Sequence, residues 1–171
     1  MGGVDKGLQL LHGKPMVAAV VARLSPQVDE VLINANQNLR AYEVFGHRVV
    51  PDAIGGFAGP LAGLHAGLCA ATHCLLLTVP CDSPFLPLDL LSRLNKAIGA
   101  NDLAVARTGD QPHPVFALVR RSVRENLERF LSGGGRKIDA WYASLKVIEV
   151  AFDDEADAFR NINTREELNS A

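Results

Sequence analysis

No apolar run in this 171-residue chain approaches the roughly 18–20 residues needed to cross a bilayer. Its start also lacks a charged segment followed by an apolar one. Neither a membrane span nor a secretory leader is expected. The three cysteines, Cys69, Cys74 and Cys81, form no CxxC pair and no even set. That argues against a disulfide framework and a cysteine-built metal site, and for a reducing cytoplasm. Their default role is burial as small core residues. A net charge of −2 supplies no basic surface for displacing counterions, so nucleic acid is not an expected partner. A small phosphorylated ligand, by contrast, needs only a few cations. There is no Walker A signature, GxxxxGK[ST]. Internal repeats and low-complexity linkers are missing as well, so residues 1–171 read as a single domain, large enough for an apolar core without staples.

What is present alternates between helix-like and strand-like stretches. Lys14 to Leu24 reads as a helix opened by Pro15, with Met16, Val20, Val21 and Leu24 as its buried stripe. Glu30 to Asn34 is a β-rich run, followed by a polar helix around Leu39 to Phe45 and a short strand at Arg48 to Val50. The glycine-rich stretch Gly55 to Pro60 leads into a helix from about Leu61 to Ala71. His73 to Val79 is continuously apolar up to Pro80, as in a central strand covered on both faces. A helix from Pro87 to Ile98, strands at Leu103 to Ala106 and Val115 to Val119, a helix near Ser122 to Leu131 and a strand at Lys146 to Val150 follow. Thr164 to Glu167 has capping-box spacing and opens a last short helix. This order predicts an α/β fold: an open, mostly parallel sheet with helices on both faces.

Ligands of such sheets collect beyond the carboxyl ends of the strands. Asn34 and Asn36 end one strand, Asp52 ends the next, and Asp82 follows the apolar strand. All are expected to face one crevice. Asp82 lies in Pro80-Cys81-Asp82-Ser83-Pro84, where two prolines stiffen the turn. It suits a magnesium ion, which takes one or two carboxylates and fills its octahedron with phosphate oxygens and water. The competing account is that Asp82 caps the turn before the Pro87 helix. Gly2, Gly3 and Gly7 would let backbone amides approach phosphate, and Lys6 adds a cation; a plain glycine-rich terminus would look the same. One of Asn34 and Asn36 is expected to face the ligand and the other the turn. Their amides suit a base edge or ribose, as does the Asp52 carboxylate, with turn and capping roles as alternatives.

Several residues suit a second, anionic substrate. Gly59 and Pro60 stand just before a helix whose first amides would face an anion, although close packing explains Gly63 equally well and is the preferred account of Gly67. Arg107 and His113 lie near the ends of later strands, and Gly133-Gly134-Gly135-Arg136-Lys137 is either a phosphate contact or a connection. Asn161 and Asn163 precede the last helix.

Taken in order, these segments resemble the molybdenum cofactor guanylyltransferases from residue 1 to about residue 169. The match rests on Met1-Gly2-Gly3-Val4-Asp5-Lys6-Gly7-Leu8, Gly13-Lys14-Pro15, Asn34-Ala35-Asn36 and Asp52. It continues through Gly59-Pro60-Leu61-Ala62-Gly63, Pro80-Cys81-Asp82-Ser83-Pro84, His113-Pro114 and Asn161-Ile162-Asn163-Thr164. The resemblance implies a Rossmann-like, nucleotide-diphospho-sugar transferase-like fold. It also implies transfer of GMP from GTP to a molybdopterin phosphate with release of pyrophosphate. It makes Gly3 and Lys6 the phosphate contacts and Asn34 and Asp52 the nucleoside contacts. Asp82 becomes the ligand of Mg2+, or of Mn2+ in its place. Gly59, Arg107, His113, Arg136, Asn161 and Asn163 remain for the pterin. Transient contact with other molybdenum-cofactor biosynthesis or acceptor proteins is a further implication. Family members begin with an interior strand, an arginine and a Leu-Ala-Gly-Gly segment ahead of the motif that opens this chain. The domain therefore reads as N-terminally incomplete, with its first strand missing.

Three rival readings stand beside this one. A molybdopterin cytidylyltransferase or sugar-phosphate nucleotidyltransferase would use another nucleotide. A non-catalytic nucleotide fold would carry the cofactor without turnover. A purely structural α/β domain leaves the polar residues at the strand ends unexplained.

Overall fold

The computed structural model describes residues 5–54, 59–160 and 162. Gly2, Gly3, Asn161, Asn163 and the Thr164–Glu167 capping box fall outside them.

The chain opens with a 3-10 turn, Lys6–Leu8, and a short hairpin of β1 (Leu10–Leu11) and β2 (Lys14–Pro15). His12 and Gly13 make its two-residue turn with φ of 49° and 77°, the left-handed pair that matches strand twist. Because Lys14 and Pro15 pair with Leu11 and Leu10, the helix expected from Lys14 starts later, as α1 (Met16–Leu24). Next come β3 (Leu32–Asn34), α2 (Leu39–Glu43), β4 (Arg48–Val50) and α3 (Pro60–Ala70). The second half holds β5 (Leu75–Thr78), α4 (Leu90–Ile98), β6 (Leu103–Thr108), β7 (Gln111–Arg120), α5 (Arg124–Ser132), α6 (Ile138–Tyr142) and β8 (Val147–Ala151). A 3-10 segment, Asp153–Phe159, follows β8.

The main sheet has the order β5-β7-β6-β8, and β3 pairs with β4 in a separate ribbon. The expected α/β sheet with helices on both faces is present, but its strand directions are mixed. β3–β4 and β6–β8 are parallel, whereas β5–β7 and β6–β7 are antiparallel. The cause is local. Gly109 and Asp110 fold β6 and β7 into a hairpin, with Gly109 at φ 53° and Thr108 opposite Gln111. A two-residue Gly-Asp spacing is a hairpin signal, and it turns the long strand β7 back into the middle of the sheet.

Alternation along these central strands builds two cores. Leu103, Val105, Ala117 and Val119 pack with Leu61 and Leu68 of α3, Leu127 and Leu131 of α5, and Trp141. Ala104, Ala106, Phe116 and Leu118 pack on the other face with Leu90, Leu94 and Ile98 of α4, and with Phe152 and Phe159. On α3, a Cβ at Gly67 would come within 3.1 Å of Leu76 Cδ2, so this glycine serves close helix–sheet packing. Neither β3 nor β5 has a second strand neighbour among the described residues. Between them runs an apolar groove of about 290 Å³, lined by Leu24, Leu32, Leu75, Leu76, Leu77 and Leu118 among others.

Leu118 is 1 % exposed in the middle of β7 and contributes to the α4-side core. Leu118→Ala leaves a cavity between sheet and helix, and unfolding free energy should fall by about 3 kcal/mol. A lower urea midpoint with an unchanged m-value is the expected reading.

Candidate functional site

Strands β3 and β4 are parallel and in register, Leu32 with Arg48, Ile33 with Val49 and Asn34 with Val50. Their carboxyl ends therefore coincide, and the residues just past them meet. Asn34 Nδ2 donates to Asp52 Oδ1 at 2.8 Å, and Asn36 Nδ2 donates to Asp52 Oδ2 at 2.8 Å. The Asp52 backbone N–H donates to Asn36 Oδ1 at 2.8 Å. The expectation that the two asparagines point apart is corrected here. Residues two apart share a face, and both amides converge on one carboxylate. Asp52 is thereby oriented, and each oxygen keeps a lone pair for an outside N–H donor. Gly63, near the start of α3, faces this cluster, since a Cβ there would run into Asn34 Oδ1.

Asp82 lies four residues past the end of β5, in the turn Pro80–Ser83. Its partner is Lys6, with Nζ 3.2 Å from Oδ2. The Lys6 side chain is 50 % exposed and that of Asp82 only 11 %, so the carboxylate is recessed and the ammonium faces solvent. Asp82 does not cap α4, which begins at Leu90 behind Asp89. Its carbonyl accepts from Ile162 N–H at 3.0 Å, which ties that residue to the turn. The two clusters meet through α2. Tyr42 packs with Ile33 and Ala35 of the first cluster's strand, and its hydroxyl donates to Asp5, beside Lys6.

The remaining expected residues are dispersed. His113 lines an open groove of about 500 Å³ together with Pro80, Thr108, Gln111, Phe159 and Arg160. Its Nε2 is 2.7 Å from Thr108 Oγ1, and its ring stacks on Phe159 with centroids 4.7 Å apart. Burial lowers its basicity, which favours a neutral imidazole. Arg107 is instead engaged with Glu149 at 3.4 Å, and Arg136 caps the end of α5 by donating to the Leu131 and Gly135 carbonyls. Gly59 precedes α3 with φ 62° and ψ −150°, a conformation open essentially to glycine alone. Asn38, Tyr42, Thr108, Phe159 and Arg160 were not expected from the sequence. They are single residues within ordinary-looking segments, and only their neighbours in space mark them.

A profile of the MobA-like NTP transferase domain matches residues 1–147. The chain belongs to this family, and so to the nucleotidyltransferases. It is 54 % identical over 175 residues to the molybdenum cofactor guanylyltransferase of Cupriavidus necator, covering 98 % of this chain and 87 % of that protein. The enzyme of the same description from Shewanella putrefaciens is 49 % identical, with the same coverage. Among solved structures, molybdopterin-guanine dinucleotide biosynthesis protein A from Archaeoglobus fulgidus superposes with a TM-score of 0.77 at 26 % identity, over 98 % of this chain and 89 % of that one. The 4-diphosphocytidyl-2C-methyl-D-erythritol synthase of Anaerococcus prevotii superposes with a TM-score of 0.76 at 13 % identity, over 98 % and 90 % of the two chains, a likeness of fold alone.

The donor set around Asp82 can be tested against the divalent metal that a nucleotidyltransferase suggests. Among the described residues no three His, Cys, Asp or Glu side chains gather into a metal cluster. A single recessed carboxylate fits magnesium, which dehydrates reluctantly and completes its shell with water and substrate phosphate. The Lys6–Asp82 pair must open for this. The ammonium is half in water, and this screening lowers the cost of opening the pair.

Cys81 adjoins Asp82 in the same turn. Part of the residue reaches solvent, but its Sγ lies against the Gly7 backbone, 3.4 Å from where a Cβ would stand. Desolvation, and then the Asp82 and Asp5 carboxylates, push the thiol up to about 11. Only the thiolate is nucleophilic. Alkylation of Cys81 by iodoacetamide, read by peptide mass mapping, should be slow at neutral pH and accelerate as the pH rises towards about 11. Fast labelling at neutral pH contradicts this environment.

Proposed function

We propose that the protein transfers GMP from GTP to the terminal phosphate of molybdopterin, releasing pyrophosphate and forming the molybdopterin guanine dinucleotide cofactor. One observation carries the reading. The residues assigned to the nucleoside, Asn34 and Asp52, are already joined at the ends of β3 and β4. Those assigned to phosphate and metal, Lys6 and Asp82, are joined beyond the end of β5. Relatives about half identical over nearly the whole chain bear the guanylyltransferase name, which favours GTP over CTP. The diphosphocytidyl-methyl-erythritol synthase and a solved cytidylyltransferase share only the fold, at 13 % and 18 % identity.

In the reaction a phosphate oxygen of molybdopterin attacks the α-phosphorus of GTP. A new phosphorus–oxygen bond forms as the bond to the β-phosphate's bridging oxygen breaks, and its electron pair leaves on pyrophosphate. The protein supplies no nucleophile, so its work is positioning and neutralisation of charge. Asp52, oriented by Asn34 and Asn36, accepts N–H groups of the guanine edge or a ribose hydroxyl. Lys6 turns from Asp82 to the phosphate oxygens and offsets charge on the departing group. Asp82 would hold Mg2+, or Mn2+, which when bound polarises the α-phosphate and steadies pyrophosphate. Gly3 belongs to the same phosphate loop in this reading. The groove at His113 receives the pterin, with the Phe159-stacked imidazole and Arg160 at hand. Gly59, Arg107, Arg136, Asn161 and Asn163 remain candidates for that substrate's anionic groups. Three free thiols suit a cytoplasmic setting, where delivery to other cofactor-handling or acceptor proteins would follow.

Asp82→Ala should lower kcat/KM for product formation from GTP and molybdopterin by about a hundredfold or more, with thermal melting little changed. Equal activity in the two proteins rejects the metal-ligand role. In a competition of GTP against CTP with magnesium present, GTP should bind more tightly. A preference for CTP replaces the guanylyl assignment with a cytidylyl one.

A further inference from the structure

Asp5 stands immediately before the Lys6–Leu8 turn, and helix α2 holds its carboxylate. Tyr42 Oη donates to Asp5 Oδ1, and Asn38 Nδ2 donates to Asp5 Oδ2 at 3.1 Å. The two donors stand one turn apart, just before α2 and near its end, α2 being the element that follows Asn34 and Asn36. Asn38 adopts a left-handed φ of 54° ahead of the helix, and its carbonyl accepts from Ala41 and Tyr42 N–H at 2.8 and 3.3 Å. Tyr42 is 4 % exposed and its ring packs with Val17, Ile33 and Ala35, so the hydroxyl has little freedom. On the other side of the contact, Leu8 N–H donates to the Asp5 carbonyl at 3.3 Å and Gln9 N–H to that of Lys6 at 3.1 Å. The carboxylate that α2 grips is therefore rigidly joined to the turn carrying Lys6. Gly7 completes the fit, since a Cβ there would come within 2.6 Å of Tyr42 Oη.

We propose that Tyr42 is a positioning residue for GTP, acting through Asp5. It locks the Lys6 turn to the helix that follows the nucleoside contacts, fixing the distance from the backbone that carries Lys6 to the Asn34–Asp52 cluster. By engaging the Asp5 carboxylate, Tyr42 and Asn38 also keep a negative charge from facing the incoming triphosphate. This rests on the nucleotide-site reading above. Burial first, and then the bond to Asp5, raise the Tyr42 hydroxyl above its ordinary value, so it remains a donor in neutral and alkaline solution.

The test compares GTP binding and steady-state kinetics of the full chain with those of Tyr42→Phe, which keeps the buried ring and removes only the donor. Losing a hydrogen bond to a charged group should raise the Kd and KM for GTP about tenfold, while the KM for molybdopterin stays at the wild-type value. Asn38→Gly removes the second donor at an exposed position whose φ glycine accepts, and it should give the same split without touching the core. Adding Asp5→Asn to Tyr42→Phe should recover part of the GTP affinity, because the released charge is gone. The proposal is overturned if either donor variant, melting as wild type does, binds GTP with unchanged affinity. It is equally overturned if both KM values rise together, or if Asp5→Asn gives no recovery. Wild-type protein that binds CTP in place of GTP removes the guanylyl assignment instead, and the same comparison then decides the role of Tyr42 with CTP.

Discussion

Strands β6 and β7 bury side chains on both of their faces, and the rest of the molecule follows from that constraint. Leu103, Val105, Ala117 and Val119 require one layer of helices, and Ala104, Ala106, Phe116 and Leu118 require another. A sheet covered on both sides has no face left for a ligand. Polar chemistry is driven to the strand ends, where the chain must turn and its backbone groups meet water. β5 ends at Thr78 opposite Ala117, while β7 continues beyond it towards the Gly109 hairpin. The turn bearing Cys81 and Asp82 is thus released at the rim of the sheet rather than within it.

At that rim three carboxylates occupy similar positions but are held in different ways. Two neutral amides hold Asp52 and leave each of its oxygens a spare lone pair. A buried phenol and an amide hold Asp5, and both belong to the protein's own framework. Asp82 alone is paired with a flexible, half-exposed cation. The first two arrangements are set before a ligand arrives, which spares reorganisation during the reaction. Only the third rearranges at little cost, and it is the one assigned to metal and phosphate.

The helices and strands were largely legible in the pattern of the chain. The apolar run ending at Val79 is a strand, but among the described residues it is a half-buried edge strand and not the central, doubly covered one expected. The Arg48–Val50 segment is a strand, and Gly67 packs a helix against Leu76, as expected. The sheet is mostly parallel as expected, and only the reversal of β7 against β5, β6 and β8 was not foreseen, because Gly109-Asp110 was not read as a hairpin turn although that signal lay in the sequence. The β1–β2 hairpin was missed for another reason. Its turn contains His12 at positive φ, and only pairing with Lys14 and Pro15 shows why a histidine should adopt that conformation.

The sequence by itself determined the alternation of elements, the burial of their apolar faces and the placing of Asn34, Asp52 and Asp82 at strand ends, because these depend on short-range periodicity. Tertiary structure alone decided which of those ends meet. Asn34 and Asp52 are joined across 18 residues and Lys6 and Asp82 across 76. Arg136, equally suited to phosphate on paper, is turned back to cap the helix it follows. Local pattern sets what a segment is. Only the packing of whole layers fixes the distances between their loops, and those distances decide whether a charged side chain finds a ligand, a partner or its own backbone.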